Sequence, residues 1–304
     1  MAEGTTIIVG TRASALAMAQ TAEVASELRR RHPDIRIEIR SISTLGDSDR
    51  LSPLATMGSH GVFTSELERA LLTGHIDLAV HSYKDLPTQV TEGLAVVAVP
   101  RRADRFDALV LRVAGSLREL PPGAKVAAGS PRRREALRCV RDDLDLQAVR
   151  GNIDTRLAKL SEEGFDALVM ARAALDRLGR PARCESLESV MLPAPAQGAL
   201  ALQVRADDHR TREQAAALHD DVSGIETKVE RTVLDLLGGG CHLPLGVLAR
   251  TTSGGGTMTV RAQVYLDGRA RDFVAEGDCA KAESLARSVA DIILRAFPGG
   301  LPGG

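Results

Sequence analysis

The sequence predicts an α/β fold in which two α/β units are followed by a small α+β unit. Short apolar runs alternate with longer amphipathic runs along the first hundred residues, and the alternation starts again at about residue 107, which is typical of α/β domains. After a helical run at 224–237, three strand-like segments precede one helix. At 304 residues the chain is about twice the usual length of a domain, so each unit can have its own core.

The predicted elements fall into three groups along the chain. The first group has strands at 7–9, 35–42, 78–80 and 94–99 and helices at 14–31 and 65–73. The second has strands at 125–127 and 167–170 and helices at 131–140 and 152–163. The third has helices at 224–237 and 280–296 and strands at 243–251, 258–266 and 271–276. Proline-containing breakers at 99–103 and 192–197 indicate hinge or crossover segments, and we expect the tail at 298–304 to be frayed.

Composition and charge exclude several classes of protein. The formal net charge is −1, which argues against bulk electrostatic attraction to nucleic acid. No stretch approaches the roughly 20 consecutive apolar residues that a membrane span needs, and residues 1–10 lack the basic start and apolar run of a signal peptide. We therefore expect a cytoplasmic protein without a nucleic-acid or membrane partner.

The basic residues are unevenly chosen. Of the 39 lysines and arginines, five are lysines and 34 are arginines. A planar, forked guanidinium suits carboxylates and phosphates, but biased codon usage produces the same excess. The excess alone leaves both interpretations open.

The sequence contains four cysteines, which are Cys139, Cys184, Cys241 and Cys279. They lie far apart and have no histidine pair at zinc spacing, so neither disulfides nor a metal site are expected. Cys241 follows three glycines at 238–240 and precedes Pro244, which indicates a thiol on a loop. Such a thiol can be a nucleophile or an attachment point. The alternative is an incidental buried cysteine in a glycine-rich turn.

A polar cluster follows the apolar strand predicted at 78–80. It contains Ser82, Lys84 and Asp85 and ends at Pro87, and strand ends are where α/β proteins bind ligands. Asp85 is therefore a candidate ionised carboxylate that stabilises a cation or moves a proton. The alternative is a solvated Lys-Asp turn.

A cluster of arginines opens the helix predicted at 131–140. Ser130 fits an N-cap, Pro131 fits the first turn, and Arg132 and Arg133 follow. Because the N-terminus of a helix already attracts anions, these guanidiniums favour a site for several carboxylates or a phosphate over a purely structural helix start.

Arginines recur at other predicted junctions between strand and helix. These are Arg12, with Ser14 beside it, Arg150, Arg156 and Arg177. One such arginine means little, but together they could converge on one polyanionic ligand. Gln197, in the breaker at 192–197, offers an uncharged contact or belongs to a plain linker.

These segments together resemble the porphobilinogen deaminase family along nearly the whole chain. The matching motifs are Gly10-Thr11-Arg12-Ala13-Ser14, His81-Ser82-Tyr83-Lys84-Asp85-Leu86-Pro87, Ser130-Pro131-Arg132-Arg133, Arg150-Gly151-Asn152, Thr155-Arg156, Arg177-Leu178-Gly179, Ala196-Gln197-Gly198-Ala199, Glu230-Arg231 and Gly239-Gly240-Cys241. The resemblance implies two α/β domains like those of periplasmic binding proteins around a cleft, and a third, small α+β domain. It places domain 1 at 1–100 and 199–218, domain 2 at 101–198 and domain 3 at 222–304.

The resemblance also implies the chemistry. A dipyrromethane cofactor would be joined by a thioether to Cys241, and four porphobilinogen units would be added head to tail before hydrolysis releases a linear tetrapyrrole. Asp85 would stabilise the cationic azafulvene that forms when porphobilinogen loses ammonia, and would assist proton transfers. No metal or nucleotide is required, and we expect a monomer.

Binding residues carried over from the resemblance fall into two sets. Those for the cofactor are Cys241, Lys84, Ser130, Arg132, Arg133 and Arg156. Those for the substrate are Arg12, Ser14, Ser82, Arg150, Arg177, Phe63 and Gln197. Because each pyrrole carries an acetate and a propionate, the growing chain accumulates carboxylates, which gives the arginines one common role.

The match weakens in the segment 52–63, which the resemblance identifies as a lid. The family usually carries lysines where this chain has Thr56 and His60, and a hydroxyl residue is common at the position of Ala128. His60 replaces a fixed charge only while it is protonated, near or below about pH 6.5. We expect a divergent deaminase with a weaker hold on cofactor or substrate. The alternative is a catalytically weak or inactive paralogue that binds tetrapyrroles or other polycarboxylates.

Overall fold

The computed structural model describes residues 6–42, 65–180, 183–240, 243–252 and 254–301. Three sheets are formed, and the chain divides into two compact units. The first unit is Met1–Ala103 with Ala199–Gly224, and the second is Asp104–Gly198 with Ile225–Gly304. Within the described residues, no helix has both the length and the apolar character needed to cross a membrane.

The strands and helices are labelled in chain order. The strands are β1 (Thr6–Arg12), β2 (Arg36–Ile42), β3 (Leu78–Ser82), β4 (Leu94–Ala98), β5 (Asp107–Leu111), β6 (Lys125–Ala128), β7 (Asp145–Gln147), β8 (Ala167–Ala171), β9 (Cys184–Ser186), β10 (Leu200–Arg205), β11 (Leu245–Thr251), β12 (Thr257–Leu266) and β13 (Arg269–Asp278). The helices are α1 (Ala15–Arg31), α2 (Ser65–Leu72), α3 (Pro131–Arg138), α4 (Ile153–Glu162), α5 (Arg172–Arg177), α6 (His209–Ala216), α7 (Asp221–Leu236) and α8 (Ala282–Ala296).

The first sheet has the strand order β2-β1-β3-β10-β4. β1 is parallel to β2 and β3, whereas β10 runs antiparallel to both of its neighbours. The chain therefore returns to this sheet after Gly198. α1 covers one face through Val24 and Leu28, and α2 covers the other through Leu67 and Leu71.

The second sheet repeats this arrangement with the order β7-β6-β8-β5-β9. Here β6 is parallel to β7 and β8, and β5 runs antiparallel to β8 and β9. Every residue of β5 and β8 is buried, as expected for strands covered on both faces. By position, β6 corresponds to β1, and both strands lead to a helix capped by a serine, Ser130 in α3 and Ser14 in α1.

The third sheet is the antiparallel meander β11-β12-β13. Its core includes Val233 of α7, Val289 and Ile293 of α8, and Phe273. Leu301 is buried in the same core, so the expectation of a frayed tail at 298–304 was wrong for this residue. The predicted α/β fold with a small α+β unit is confirmed, whereas the division into three domains stays a prediction.

Candidate active site

The predicted catalytic aspartate lies on a short turn at the end of β3. A single 3-10 turn spans Tyr83–Asp85, and Tyr83 donates its N–H to the carbonyl of Ala199 at 3.0 Å. Leu86 is buried directly after the turn, while Asp85 is exposed and Lys84 is half-buried. The backbone around Asp85 is therefore anchored on both sides, and its carboxylate stays accessible to a ligand.

Ser82, the last residue of β3, is held by a buried glutamine of α1. The Oγ of Ser82 lies 2.9 Å from Nε2 and 3.1 Å from Oε1 of Gln20, which is only 5% exposed. Sequence reasoning did not find Gln20, because a polar residue in a helix gives no sign of where its partner lies.

A chain of polar side chains runs from α2 to His81. Gln203 donates Nε2–H to Oε1 of Glu68 at 2.9 Å, and its Oε1 lies 2.9 Å from Nε2 of His81. Because a carboxylate only accepts hydrogen bonds, Glu68 fixes the orientation of the amide, so Nε2 of His81 carries the proton. The pKa of His81 is lowered from 6.5 to about 4, chiefly by burial and also by the nearby charge of Arg12, against the opposing effect of the Gln203 bond. His81 is therefore neutral near pH 7.

The first strand ends beside a helix cap. Arg12 closes β1 and is half-buried. The Oγ of Ser14 accepts the N–H of Ala17 at 3.3 Å, and Thr11 donates its hydroxyl to the carbonyl of Ala17 at 3.1 Å. Since the cap uses Ser14 as an acceptor, its hydroxyl proton can still be donated to a ligand.

Arg132 and Arg133 lie in the interior, on both sides of one buried carboxylate. They are 3% and 6% exposed. Asp107 accepts Nη2–H of Arg132 at 2.7 Å, and Nε–H and Nη2–H of Arg133 at 3.0 and 2.6 Å. The sequence favoured an anionic ligand for these cations, whereas the structure places a carboxylate of the chain itself between them. Two guanidiniums and one carboxylate leave a formal excess of one positive charge.

Gln197 is also buried and belongs to the same cluster. Its Nε2 lies 3.0 Å from both the carbonyl of Arg105 and Oδ1 of Asp107. Both amide hydrogens are thus directed at acceptors within the protein, so a substrate contact would have to use its Oε1. The preceding Ala196 has a φ of 59°, and its N–H is held by Oε2 of Glu230 at 2.7 Å.

The other predicted residues of the second unit follow β6 and β7 or lie in α4 and at the end of α5. Ser130 caps α3 by accepting the N–H of Arg133 at 3.3 Å. Arg156 donates Nε–H to the carbonyl of Gly151 at 2.7 Å, and a Cβ on Gly129 would lie 3.0 Å from its Nη1. Arg150 is exposed, and Arg177 donates to the carbonyl of Gly198 at 3.2 Å. Ser130, Gly129 and Arg156 are therefore neighbours.

The glycines before Cys241 end a helix. Gly238 has a φ of +72° and donates to the carbonyl of Asp235 at 3.0 Å, while Gly239 donates to that of Leu234 at 2.9 Å. These two bonds form a Schellman motif, which requires the left-handed conformation at Gly238. Cys241, Phe63, Thr56 and His60 lie outside the described residues.

Two family models match the sequence. The model for the porphobilinogen deaminase dipyromethane cofactor binding domain matches residues 7–213, and the model for the porphobilinogen deaminase C-terminal domain matches residues 225–295. The chain belongs to the porphobilinogen deaminase family. The family resemblance and the dipyrromethane cofactor predicted from the motifs are thereby confirmed.

Curated relatives of this porphobilinogen deaminase family member cover nearly all of it. The porphobilinogen deaminases of Roseiflexus sp. (strain RS-1), Deinococcus radiodurans and Thermus thermophilus are 40%, 42% and 40% identical, and the alignments cover 95% of this chain and 96%, 96% and 95% of those proteins. Among solved structures, the methionine-binding protein MetQ is 14% identical with a TM-score of 0.45, over 75% of this chain and 97% of that one. The OxyR2 regulatory domain of Vibrio vulnificus is 16% identical with a TM-score of 0.43, over 72% and 97%.

The buried histidine generates a pH prediction. The folded state disfavours protonation of His81 and the unfolded state does not, so the free energy of unfolding should fall as the pH drops from about 6.5 to about 4. The loss from this residue should be about 3 kcal/mol. His81→Gln, which cannot titrate but can still donate to Gln203, should lose that much less across the same range. Urea unfolding of both proteins at pH 7 and pH 4 measures the difference, and equal losses would contradict the assignment.

Removing the buried carboxylate generates a second prediction. Asp107→Asn leaves two buried guanidiniums without their counter-charge and should destabilise the fold by about 3–5 kcal/mol. Asp143→Asn is the matched control, because Asp143 pairs with Arg141 near the surface and its replacement should lower the free energy of unfolding far less. Both values come from denaturant unfolding, and similar losses for the two variants would refute a special role for Asp107.

Proposed function

We propose that this chain deaminates porphobilinogen and joins four units head to tail on a dipyrromethane carried by Cys241, then releases the linear tetrapyrrole by hydrolysis. Membership of the porphobilinogen deaminase family supports the reaction. Within the described residues, the observation that carries the proposal is the exposed carboxylate of Asp85 on an anchored turn. The alternative of an inactive paralogue gains no support from the comparisons.

Asp85 is proposed as the catalytic residue. When the carbon–nitrogen bond of porphobilinogen breaks, ammonia leaves with the bonding electrons and the pyrrole becomes cationic. A carboxylate held beside the pyrrole nitrogen stabilises that developing charge, and it does so best when its position is fixed beforehand. The anchored turn supplies this fixed position. The same carboxylate is suited to taking up and returning protons during the cycle.

The cofactor fits the residues of the second unit. When bound, the dipyrromethane supplies a nucleophilic pyrrole carbon and brings an acetate and a propionate on each ring. The two guanidiniums beside Asp107 carry one formal positive charge more than that carboxylate neutralises. They, the hydroxyl of Ser130 and the guanidinium of Arg156 are groups that bind carboxylates. We propose that Ser130, Arg132, Arg133 and Arg156 of this unit bind it, and that Lys84 of the first unit does so as well. Because Arg132 and Arg133 are held by Asp107, only their remaining N–H groups would reach the cofactor.

Substrate carboxylates are proposed to bind the remaining predicted residues. In the first unit these are Arg12, Ser14, Ser82 and Phe63; in the second they are Arg150, Arg177 and Gln197. The half-buried Arg12 lies close enough to His81 to lower its pKa, and a neutral His81 leaves Arg12 as the cation at that strand end. The substrate carboxylate would therefore meet the guanidinium of Arg12 rather than a charge on His81.

We further propose a monomeric, cytoplasmic protein with neither a nucleic-acid nor a membrane partner. The net charge of −1 supports the absence of bulk attraction to nucleic acid. Cys139, Cys184 and Cys279 are free thiols, as expected in a reducing compartment.

The intact mass of the purified protein tests the proposed function. We expect an added dipyrromethane on the wild-type chain, further pyrrole increments after incubation with porphobilinogen, and neither on Cys241→Ser. Asp85→Asn should keep the cofactor but turn over about 100-fold more slowly or worse. An unmodified wild-type mass in both states would refute the proposal.

The lid substitutions generate a separate kinetic prediction. If His60 stands in for a lysine that holds a carboxylate, His60→Lys should lower KM about fivefold at pH 8, where histidine is uncharged, and by less at pH 6. KM measured between pH 6 and pH 8 for both proteins tests this. Unchanged constants with unchanged pH dependence would show that the missing lysine does not weaken binding.

A further inference from the structure

The crossover segment that starts at Leu192 lies directly against the third sheet. A Cβ on Gly246 of β11 would lie 2.6 Å from the carbonyl oxygen and 2.7 Å from the Cβ of Leu192. The next residue, Val247, donates its N–H to the carbonyl of Pro193 at 3.0 Å. Because the two backbones are in contact at Gly246, no larger residue fits there without moving one of them.

Side chains of β12 hold the same residue from its amide side. The N–H of Leu192 points to the hydroxyl of Tyr265 at 2.8 Å and to Oε1 of Gln263 at 3.1 Å. The Tyr265 hydroxyl in turn donates to Oε1 of Gln263 at 2.6 Å. Tyr265 is 1% exposed, and burial raises its pKa well above the usual value, so this hydroxyl keeps its proton.

The other end of the same residue holds an arginine. The carbonyl of Leu192 accepts Nη1–H of Arg132 at 2.6 Å, while Nη2–H of Arg132 goes to Asp107. Leu192 thus connects the third sheet to Arg132. Its N–H and its contact with Gly246 hold it to the sheet, and its carbonyl holds the guanidinium. A shift of Leu192 relative to β11 would move the carbonyl that accepts the hydrogen bond of Arg132.

We propose that Gly246 and Tyr265 are positioning residues that set the position of Arg132 relative to the third sheet. They thereby set the distance between the two groups that hold the cofactor. The inference rests on the proposed function, in which Arg132 binds a cofactor carboxylate and Cys241, four residues before β11, carries its thioether. A ligand fixed at both ends tolerates little change in the distance between its anchors. In this proposal the third sheet positions Arg132, in addition to following Cys241 in the chain.

The experiment measures cofactor loading. Apo-protein is incubated with limiting porphobilinogen, and intact mass follows the fraction that carries dipyrromethane over time. Gly246→Ala should load on the order of tenfold more slowly than wild type, and Tyr265→Phe, which removes one hydroxyl and keeps the ring, should be slowed in the same direction by a smaller factor. Gly256→Ala is the matched control in the same unit, because its Cβ would meet nothing within 4 Å; it should load like wild type.

A double-mutant comparison separates positioning from a general loss of structure. In an Arg132→Gln background, Gly246→Ala should slow loading much less than it does in the wild type, since the group that it positions is gone. Equal slowing in both backgrounds, or wild-type loading by both Gly246→Ala and Tyr265→Phe, would overturn the inference. If wild type and Gly256→Ala themselves gain no Cys241-dependent mass, the proposed function fails, and the inference fails with it.

Discussion

The second unit depends on the carboxylate of Asp107, which lies between two guanidiniums in the interior. It fixes the start of β5, the first turn of α3 through Arg132 and Arg133, and the crossover through Gln197. A buried ion is costly unless it is paired and fully hydrogen-bonded, and Asp107 accepts four bonds from these three side chains. Segments that are far apart in sequence thus meet at one charge, and most single changes there would strand a charged group in the interior.

The two α/β sheets have the same strand arrangement but differ in where their charged side chains lie. In the second sheet, the antiparallel strand β5 begins with Asp107 opposite Ala171. In the first sheet, the corresponding strand β10 begins with Leu200 opposite Ser82, and no carboxylate lies at that strand start. The two corresponding helices also differ at their first residues. α1 begins with Ala15, whereas α3 begins with Pro131 directly before its arginines. In the second sheet, Asp107 and two arginines form a buried network of charged side chains. In the first sheet, Arg12 is half-buried and Asp85 is exposed, and both follow or end a strand.

Sequence reasoning located elements and motifs but not the partners of the motif residues. Long apolar or periodic runs such as 14–31 and 280–296 were predicted within two residues of their observed ends, whereas β7 and β9, each of three residues, carry too little pattern to detect. The arginines that open α3 predicted an anionic ligand, whereas the anion that the structure places beside Arg132 is Asp107, 25 positions away. The tautomer of His81 depends on Gln203, 122 positions away. Such contacts are fixed by topology, which local sequence does not encode.

Two buried carboxylates, Glu226 and Glu230, differ from Asp85 in how their oxygens are used. Glu226 accepts from Arg105 and from the backbone of Thr251, and Glu230 accepts the backbone N–H groups of Ala196 and Ala249. These carboxylates are buried, and like Asp107 their hydrogen-bonding capacity is directed inward, where it holds strained or crossing backbone. A carboxylate that must meet a transient cation on a ligand cannot be committed in this way, because its lone pairs have to be available when the charge develops. In the role proposed for it, Asp85 fits that requirement because the backbone of its turn is anchored while its side chain is exposed.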